Sequence, residues 1–408
     1  VRHILSRRTI GGRRRRRRIA RLAAAVIISA AIALIIAIAP HGSSTESGAV
    51  HLGTLDPGSY PTVPRAVSTP TDADAAVQES IRLGEFVTLL SDVDPRLAYG
   101  GGGKAVTPQY PPDSLAYPYP DQTAARAAGL IAGWTTGATH RPNDAIGLQI
   151  QLTVLRFGTA DQAARAGNLM ADNASNLPGQ PRANRAPLAV PGYSGARSVL
   201  TAFDTVDSWL PQGELLVGVH AEDDIAEPDG PAPLLDLTRR VLDKQLELLP
   251  GYPPTPADQI ATAPSDIAGM LGRTLPNGSG GATMGVYAAH AALTGDGYPV
   301  ASALAFRDAG VDLMARDLTT VYRTADQAAA RRLQTALSGE RAAQYEPIAP
   351  PPGLPVATCG HLRDKTAAAA QYYCSVPYGR YLAEVPAEQP RDLQQRADAQ
   401  YELLTSGG

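Results

Sequence analysis

The hexapeptide Thr159-Ala160-Asp161-Gln162-Ala163-Ala164 occurs a second time as Thr324-Ala325-Asp326-Gln327-Ala328-Ala329. A chain that echoes itself is built from related structural units, so this repeat constrains the architecture more than any other feature. Each copy follows a β-prone run, Leu148–Phe157 in one and Leu318–Tyr322 in the other. Each has the form Thr-x-x-Gln, a capping box in which the hydroxyl and the amide side chain reciprocally satisfy free backbone N–H groups. The expectation is a strand that turns into a helix.

The echo continues downstream. Gly213–Val219 (GELLVGV) answers Gly379–Val385 (GRYLAEV), and both read as strands by alternation and β-branching. Ala221-Glu222 answers Ala387-Glu388. Asp243–Leu249 answers Asp398–Leu404, where Leu246 with Leu249 and Tyr401 with Leu404 share a helix face at i, i+3. Each half therefore reads strand, helix, strand, strand, helix. The expected class is α+β: two units, each an antiparallel sheet with helices on one face, in a ferredoxin-like order that lacks its last strand. The proline-rich run 250–264 separates them, giving a first unit at 56–250, a linker at 251–264 and a second unit at 265–408.

Within the first unit, three prolines hold Leu55–Arg65 extended. The spacing of Val77, Ile81, Leu83, Val87 and Leu90 predicts a helix over 74–90. The Ala-rich run 123–134 also reads as helix. Gly100–Gly103 and Pro108–Pro120 read as irregular loop.

The N-terminal end has a different character. Leu22–Ala39 (LAAAVIISAAIALIIAIA) carries no charge, and as a helix it would reach about 27 Å, close to the hydrocarbon thickness of a bilayer. The arginine block 13–18 directly before it keeps the short end in the cytoplasm and suits anionic lipid. The expectation is a basic cytoplasmic arm at 1–18, a transmembrane anchor at 19–39, a Gly/Ser/Thr stalk at 40–55 and an extracytoplasmic body. The localisation is then the plasma membrane, in a single pass. The rival reading is a cleaved signal peptide. Ala37-Ile38-Ala39 supplies a small-residue site for it, although Pro40 hinders cleavage there.

The whole chain carries a net charge of −3 even with that basic arm, so the body is acidic and a nucleic-acid partner is excluded. Its two cysteines, Cys359 and Cys374, both lie in the exported part. An oxidising compartment and an even count point to a disulfide, placed on the middle strands of the second unit.

No motif supplies a reaction. Gly192-Tyr193-Ser194-Gly195-Ala196 misses the spacing of a nucleophile elbow by one residue. Gly100–Lys104 lacks the first glycine and the Ser/Thr of a phosphate loop. Glu222–Gly230 is acidic without the alternation of a calcium loop. His140, His220, His290 and His361 show no paired metal-ligand spacing. The sequence assigns no catalytic, cofactor-binding or metal residue and implies no cofactor. Any site would have to be assembled by the fold, with His220, Glu222 and His290 as candidates.

Leu55–Arg65 (LDPGSYPTVPR), Asp94-Pro95-Arg96, the cysteine pair and Ala399-Gln400-Tyr401 together resemble an actinobacterial family of envelope proteins. Its members are mostly lipoproteins of mycobacteria, nocardiae and relatives, grouped under a domain of unknown function. The resemblance spans about residues 52–405. It implies export and envelope residence, and it carries no reaction. One departure is the hydrophobic segment that stands where the lipoproteins have a modified cysteine. The expected function is a non-enzymatic binding or scaffold protein whose ligand is an envelope lipid, wall component or protein. The alternatives are an extracytoplasmic hydrolase or transferase, and a membrane-bound sensor or assembly factor.

Overall fold

The computed structural model describes residues 50–67, 72–109, 122–142, 146–176, 187–202, 204–225, 230–364 and 370–406. They fall in one compact unit that begins at Val50. The anchor expected at 19–39, the arm at 1–18 and most of the stalk lie outside the described residues. Among the described residues, no helix is long and apolar enough to cross a membrane.

The chain is α+β, and its described residues form two antiparallel sheets of seven strands each. The first is built from β1 (Tyr99–Ala105), β2 (Ala132–Thr139), β3 (Leu148–Arg156), β4 (Pro187–Leu188), β5 (Arg197–Ala202), β6 (Thr205–Gln212) and β7 (Leu215–Asp223). Its spatial order is β1-β2-β3-β7-β6-β5-β4. The second is built from β8 (Gly285–Ala288), β9 (Leu313–Arg316), β10 (Thr320–Arg323), β11 (Tyr345–Ile348), β12 (Thr358–Leu362), β13 (Tyr372–Tyr378) and β14 (Tyr381–Ala387). Its order is β8-β9-β10-β14-β13-β12-β11, the same topology strand for strand. Each half thus has three strands before the helix of the repeat and four after it. Among the described residues each half ends on its last helix without the further strand of a ferredoxin-like order; β2 and β9, earlier in the chain, flank the strand that precedes the helix of the repeat instead.

The helices are α1 (Asp72–Gly84), α2 (Leu90–Val93), α3 (Gln122–Ala128), α4 (Ala160–Ala174), α5 (Ala232–Leu248), α6 (Ala289–Thr294), α7 (Pro299–Ala309), α8 (Gln327–Arg341) and α9 (Pro390–Ser406). They cover both faces of each sheet, where one covered face was expected. Val154 and Val217 pack in one apolar cluster with Leu237 and Val241 of α5. Their chain neighbours Leu155 and Leu216 pack in another, with Ala163, Ala166 and Met170 of α4. Adjacent strand residues point to opposite faces, so α4 and α5 sandwich the first sheet. The second sheet is sandwiched likewise. Leu382 packs with Leu333 and Leu337 of α8, while Ala383 and Val385 pack with Leu393 and Ala397 of α9. The central strands are apolar in both phases of the alternation, and a one-faced sheet would leave half of that surface in water.

Three local expectations give way to the tertiary environment. The Ala-rich run 123–134 is helical only to Ala128, and Trp134 lies in β2. Gly100–Gly103 is strand β1, because its neighbours admit only glycine. A Cβ at Gly100 would lie 1.8 Å from the Asp296 carbonyl oxygen, and one at Gly103 would lie 2.6 Å from that of Thr294. The capping box holds halfway in the first copy. Thr159 Oγ1 accepts from Gln162 N at 3.2 Å, but Gln162 Oε1 has no hydrogen-bond partner. In the second copy the cap is Asp326, which accepts from Ala329 N at 2.8 Å. Thr324 instead donates its N–H (2.8 Å) and its hydroxyl (2.9 Å) to the Arg380 carbonyl. The helix starts two residues later as a result.

The halves share one core. Trp134 of β2 stacks edge-on to Tyr287 of β8 at 6.1 Å and donates Nε1–H to Thr294 Oγ1 at 2.9 Å. Helix α1 packs against both β2 and β8. Its Gln78 closes the open edge of β8 as a strand's peptide would, accepting from Val286 N (3.0 Å) and donating to Val286 O (2.8 Å). Residues 251–264 are not free chain either. Tyr252 and Thr255 both hydrogen-bond to Glu79 of α1, which also pairs with Arg156 at 2.8 Å.

Candidate functional site

Strands β3 and β7 pair with Gln151 opposite His220 and Gln149 opposite Glu222, while β6 sets Asp207 opposite His220. With side chains alternating, Gln149, Gln151, Asp207, His220 and Glu222 share one sheet face. The same face carries Leu155, Trp209 and Leu216 under α3 and α4. Beyond that apolar part the face is polar, and a cavity of about 270 Å³ opens over it.

His220 and the two glutamines form part of the cavity floor. Thr135 and Thr139 of β2 line it, as does Thr283 from the start of the second half. Gly137, Ala138 and Ile150 add apolar surface, and a further wall is the backbone of Gly101–Gly103, together with Lys104. The register of β1 slips between Gly100 and Gly103, so Gly101 and Gly102 oppose Gly137 alone, a β-bulge. Gly102 takes φ +83°, and a Cβ on Gly101 would press on the Gly137 carbonyl carbon at 3.3 Å. Glycine is what allows this bulge to sit flat over β2.

His220 is buried and held at both ring nitrogens. Nδ1 donates to Asp207 Oδ1 at 2.7 Å, and Nε2 lies 3.4 Å from Glu222 Oε2. Asp207 Oδ2 accepts from Thr201 Oγ1 at 2.7 Å, and Glu222 Oε2 accepts from Gln149 Nε2 at 2.9 Å. Burial opposes a charge on the ring, but Asp207 and then Glu222 outweigh it and push its pKa up to about 9. At neutral pH the ring is an imidazolium with both N–H groups engaged. It has no lone pair with which to take a proton, and among the described residues no hydroxyl is bonded to it. The arrangement can donate hydrogen bonds and set charge, and it does not form a nucleophile–base pair.

The fold brings together two of the three candidates, His220 and Glu222. His290 lies elsewhere and hydrogen-bonds to the Val87 carbonyl at 2.7 Å. His140 sits 3.3 Å from the Leu148 carbonyl, and His361 packs on Tyr372 with Nδ1 3.5 Å from Glu346. Ser194 falls in a turn closed by Ala196 N and the Tyr193 carbonyl. The acidic run splits, with Glu222 and Asp223 in β7 and Asp224 accepting from Gly147 N. Among the described residues, no group of His, Cys, Asp or Glu could hold a metal ion. Cys359 and Cys374 form the expected disulfide, as directly opposed residues of β12 and β13. Asp207 was not among the candidates, although a signal for it existed. Gly213-Glu214 turns the chain between β6 and β7, and counting back from that turn sets Asp207 opposite His220.

Two family models match the chain. Domain of unknown function (DUF7373) N-terminal covers residues 67–265, and Domain of unknown function (DUF7373) C-terminal covers residues 270–407. No curated protein matches. Among solved structures, the chain is similar to the crystal structure of the extracellular domain of PknH from Mycobacterium tuberculosis at 17% identity, over 41% of this chain and 96% of that one, with a TM-score of 0.31. So slight a likeness carries no argument about fold or function.

Proposed function

We propose that this chain, which belongs to the DUF7373 family of unknown function, is a membrane-tethered extracytoplasmic protein that binds a small polar ligand in the β1–β2–β3–β7 cavity without turning it over. His220 carries the reading. A cavity furnished with hydroxyls, amides and a lysine, yet whose histidine has both nitrogens engaged by carboxylates, is equipped for recognition rather than proton transfer. The buried Cys359–Cys374 bridge suits an oxidising compartment. The apolar run Leu22–Ala39 behind its arginine block suits a plasma-membrane tether, and kinship with actinobacterial envelope lipoproteins belongs to the same reading. The ligand is then an envelope component, and the acidic body disfavours nucleic acid.

The test is native mass spectrometry of the full chain after incubation with the small-molecule fraction of an envelope extract. Gly137 lines the cavity, and a Cβ there would meet the Ile150 carbonyl oxygen at 3.4 Å and Gly101 Cα at 3.7 Å, ordinary contacts, so Gly137→Ala takes up space without forcing the backbone. The expected result is a small-molecule adduct on the native chain that the variant lacks. An adduct that persists in the variant, or none on either chain, removes the cavity from the account. Release of a chemically altered ligand replaces binding by hydrolase or transferase chemistry.

A further inference from the structure

We infer that the cavity selects a hydroxylated ring bearing one negative charge, the chemistry shared by sugar acids and sugar phosphates. This rests on the cavity being a binding site and adds what it binds.

The polar groups are laid out by charge. At the β7 side, the His220 cation lies between Asp207 and Glu222, a hydrogen-bonded cluster that keeps one net negative charge and so repels an anion at that end. At the β1 side stands Lys104, one of only three lysines in the chain. No carboxylate among the described residues pairs with it, although arginines elsewhere pair abundantly. Three strand spacings of about 4.8 Å put the backbones of Lys104 and Glu222 at least about 14 Å apart, and the two side chains form no ion pair. The surface between them carries the amides and hydroxyls of Gln149, Gln151, Thr135 and Thr139 beside the apolar Gly137, Ala138 and Ile150, which suits the C–H face of a sugar ring. The amides and hydroxyls donate and accept in turn, as a ring of hydroxyls requires.

Two further observations narrow the class. Among the described residues no Phe, Tyr or Trp lines the cavity, so a flat aromatic ligand such as a nucleobase finds no ring among them to stack on. The volume of about 270 Å³ lies at the small end for ligand cavities, which suits one ring rather than an acyl chain or an oligomer. The glycine wall of β1 lets the ligand approach backbone directly beside the lysine.

Calorimetry on the full chain with four defined probes tests this: glucuronic acid, glucose 6-phosphate, glucose and glucosamine. A charge-assisted contact to Lys104 makes at least one anionic sugar bind about tenfold or more tighter than glucose and than glucosamine. The carboxylate and phosphate arms show which anion is preferred. Lys104→Gln brings the preferred anionic sugar down to the affinity of glucose, with an unchanged unfolding midpoint as the folding control. Glucose binding as tightly as both anions overturns the inference, as does a preference that survives Lys104→Gln. Absence of binding by all four sugars up to about 10 mM also overturns it. In that last case a Gly137-dependent adduct from envelope extract leaves the cavity reading standing with a different ligand class, whereas loss of both removes the cavity reading as well.

Discussion

His220 ties a residue-scale arrangement to a measurable pH dependence. Its folded pKa of about 9 lies above the ordinary value of about 6.5. The stabilisation it supplies is therefore complete below about pH 6.5 and is lost as pH rises through about 9. A shift of that size is worth about 3 kcal/mol. Urea unfolding at pH 6 and pH 10 should show that loss in the native chain, and His220→Gln should flatten the difference. Equal slopes in the two proteins would remove the imidazolium from the stability account. Asp398 on α9 behaves in the opposite sense. Burial raises its pKa to about 6, against a lowering hydrogen bond from Asp56 N, with the Asp56 and Glu402 charges adding to the rise. Its ionised form is thus a cost at neutral pH. Asp398→Asn keeps an acceptor for Asp56 N and removes the charge. It should stabilise by about 1 kcal/mol at pH 7 and by nothing near pH 3.5. A thermal midpoint at pH 7 that falls in the variant would contradict this. Both residues stand in the sequence with no mark of these roles, because a shifted pKa is made by neighbours distant in the chain.

At the scale of elements, the repeat was legible where short-range chemistry decides. The strands at 213–219 and 379–385 and the helices at 243–249 and 398–404 appear as β7, β14, α5 and α9. Gln245 and Gln400, equivalent positions in those helices, are both fully buried. Gln245 accepts from Thr88 N and donates to the Phe86 carbonyl, pinning the segment that leads to β1. Gln400 accepts from Thr319 Oγ1 and donates to the Arg273 carbonyl, pinning the segment that leads to β8. These roles were not readable, since a polar residue on a helix is expected to face water. The Leu55–Arg65 run owes its composition to a similar task. Tyr60 donates its hydroxyl to Asp392 at 2.6 Å and lies under the Arg396 guanidinium at 5.6 Å, so the segment straps α9. The β12–β13 bridge closes a 15-residue loop, and Cys359→Ser together with Cys374→Ser should cost about 3 kcal/mol. A denaturant midpoint unchanged by the double substitution would show the hairpin to be held by its ladder alone.

At the scale of the whole molecule, the two halves read in the sequence as separable, but Glu79 and Trp134 make them interdependent. Glu79 of α1 joins Arg156 of the first sheet to Tyr252 and Thr255 of the connecting segment, all at buried or half-buried positions. Replacing one member of such a pair leaves an uncompensated buried charge, so Glu79→Gln should cost about 3 kcal/mol. Unfolding of the native chain should also be a single event. Both tryptophans, Trp134 and Trp209, belong to the first sheet, whereas the near-ultraviolet signal of the disulfide belongs to the second. Fluorescence and near-ultraviolet dichroism should therefore give one coincident transition. Two separated midpoints would mean that the shared core does not couple the halves.

The sequence by itself determined the α+β class, the duplication, the cysteine pair and the start of the helix capped by Thr159, whereas the helix expected over 74–90 already ends at Gly84. What it determined depends on periodicity, caps and composition, which act over a few residues. Tertiary structure alone decided that helices cover both faces, that a glycine run becomes a strand, and that His220 meets Asp207 and Glu222 above a cavity. Each of those outcomes depends on which surface lies opposite. The free energy of burying an apolar face, or of charging a ring between two carboxylates, is set by partners that local sequence does not name.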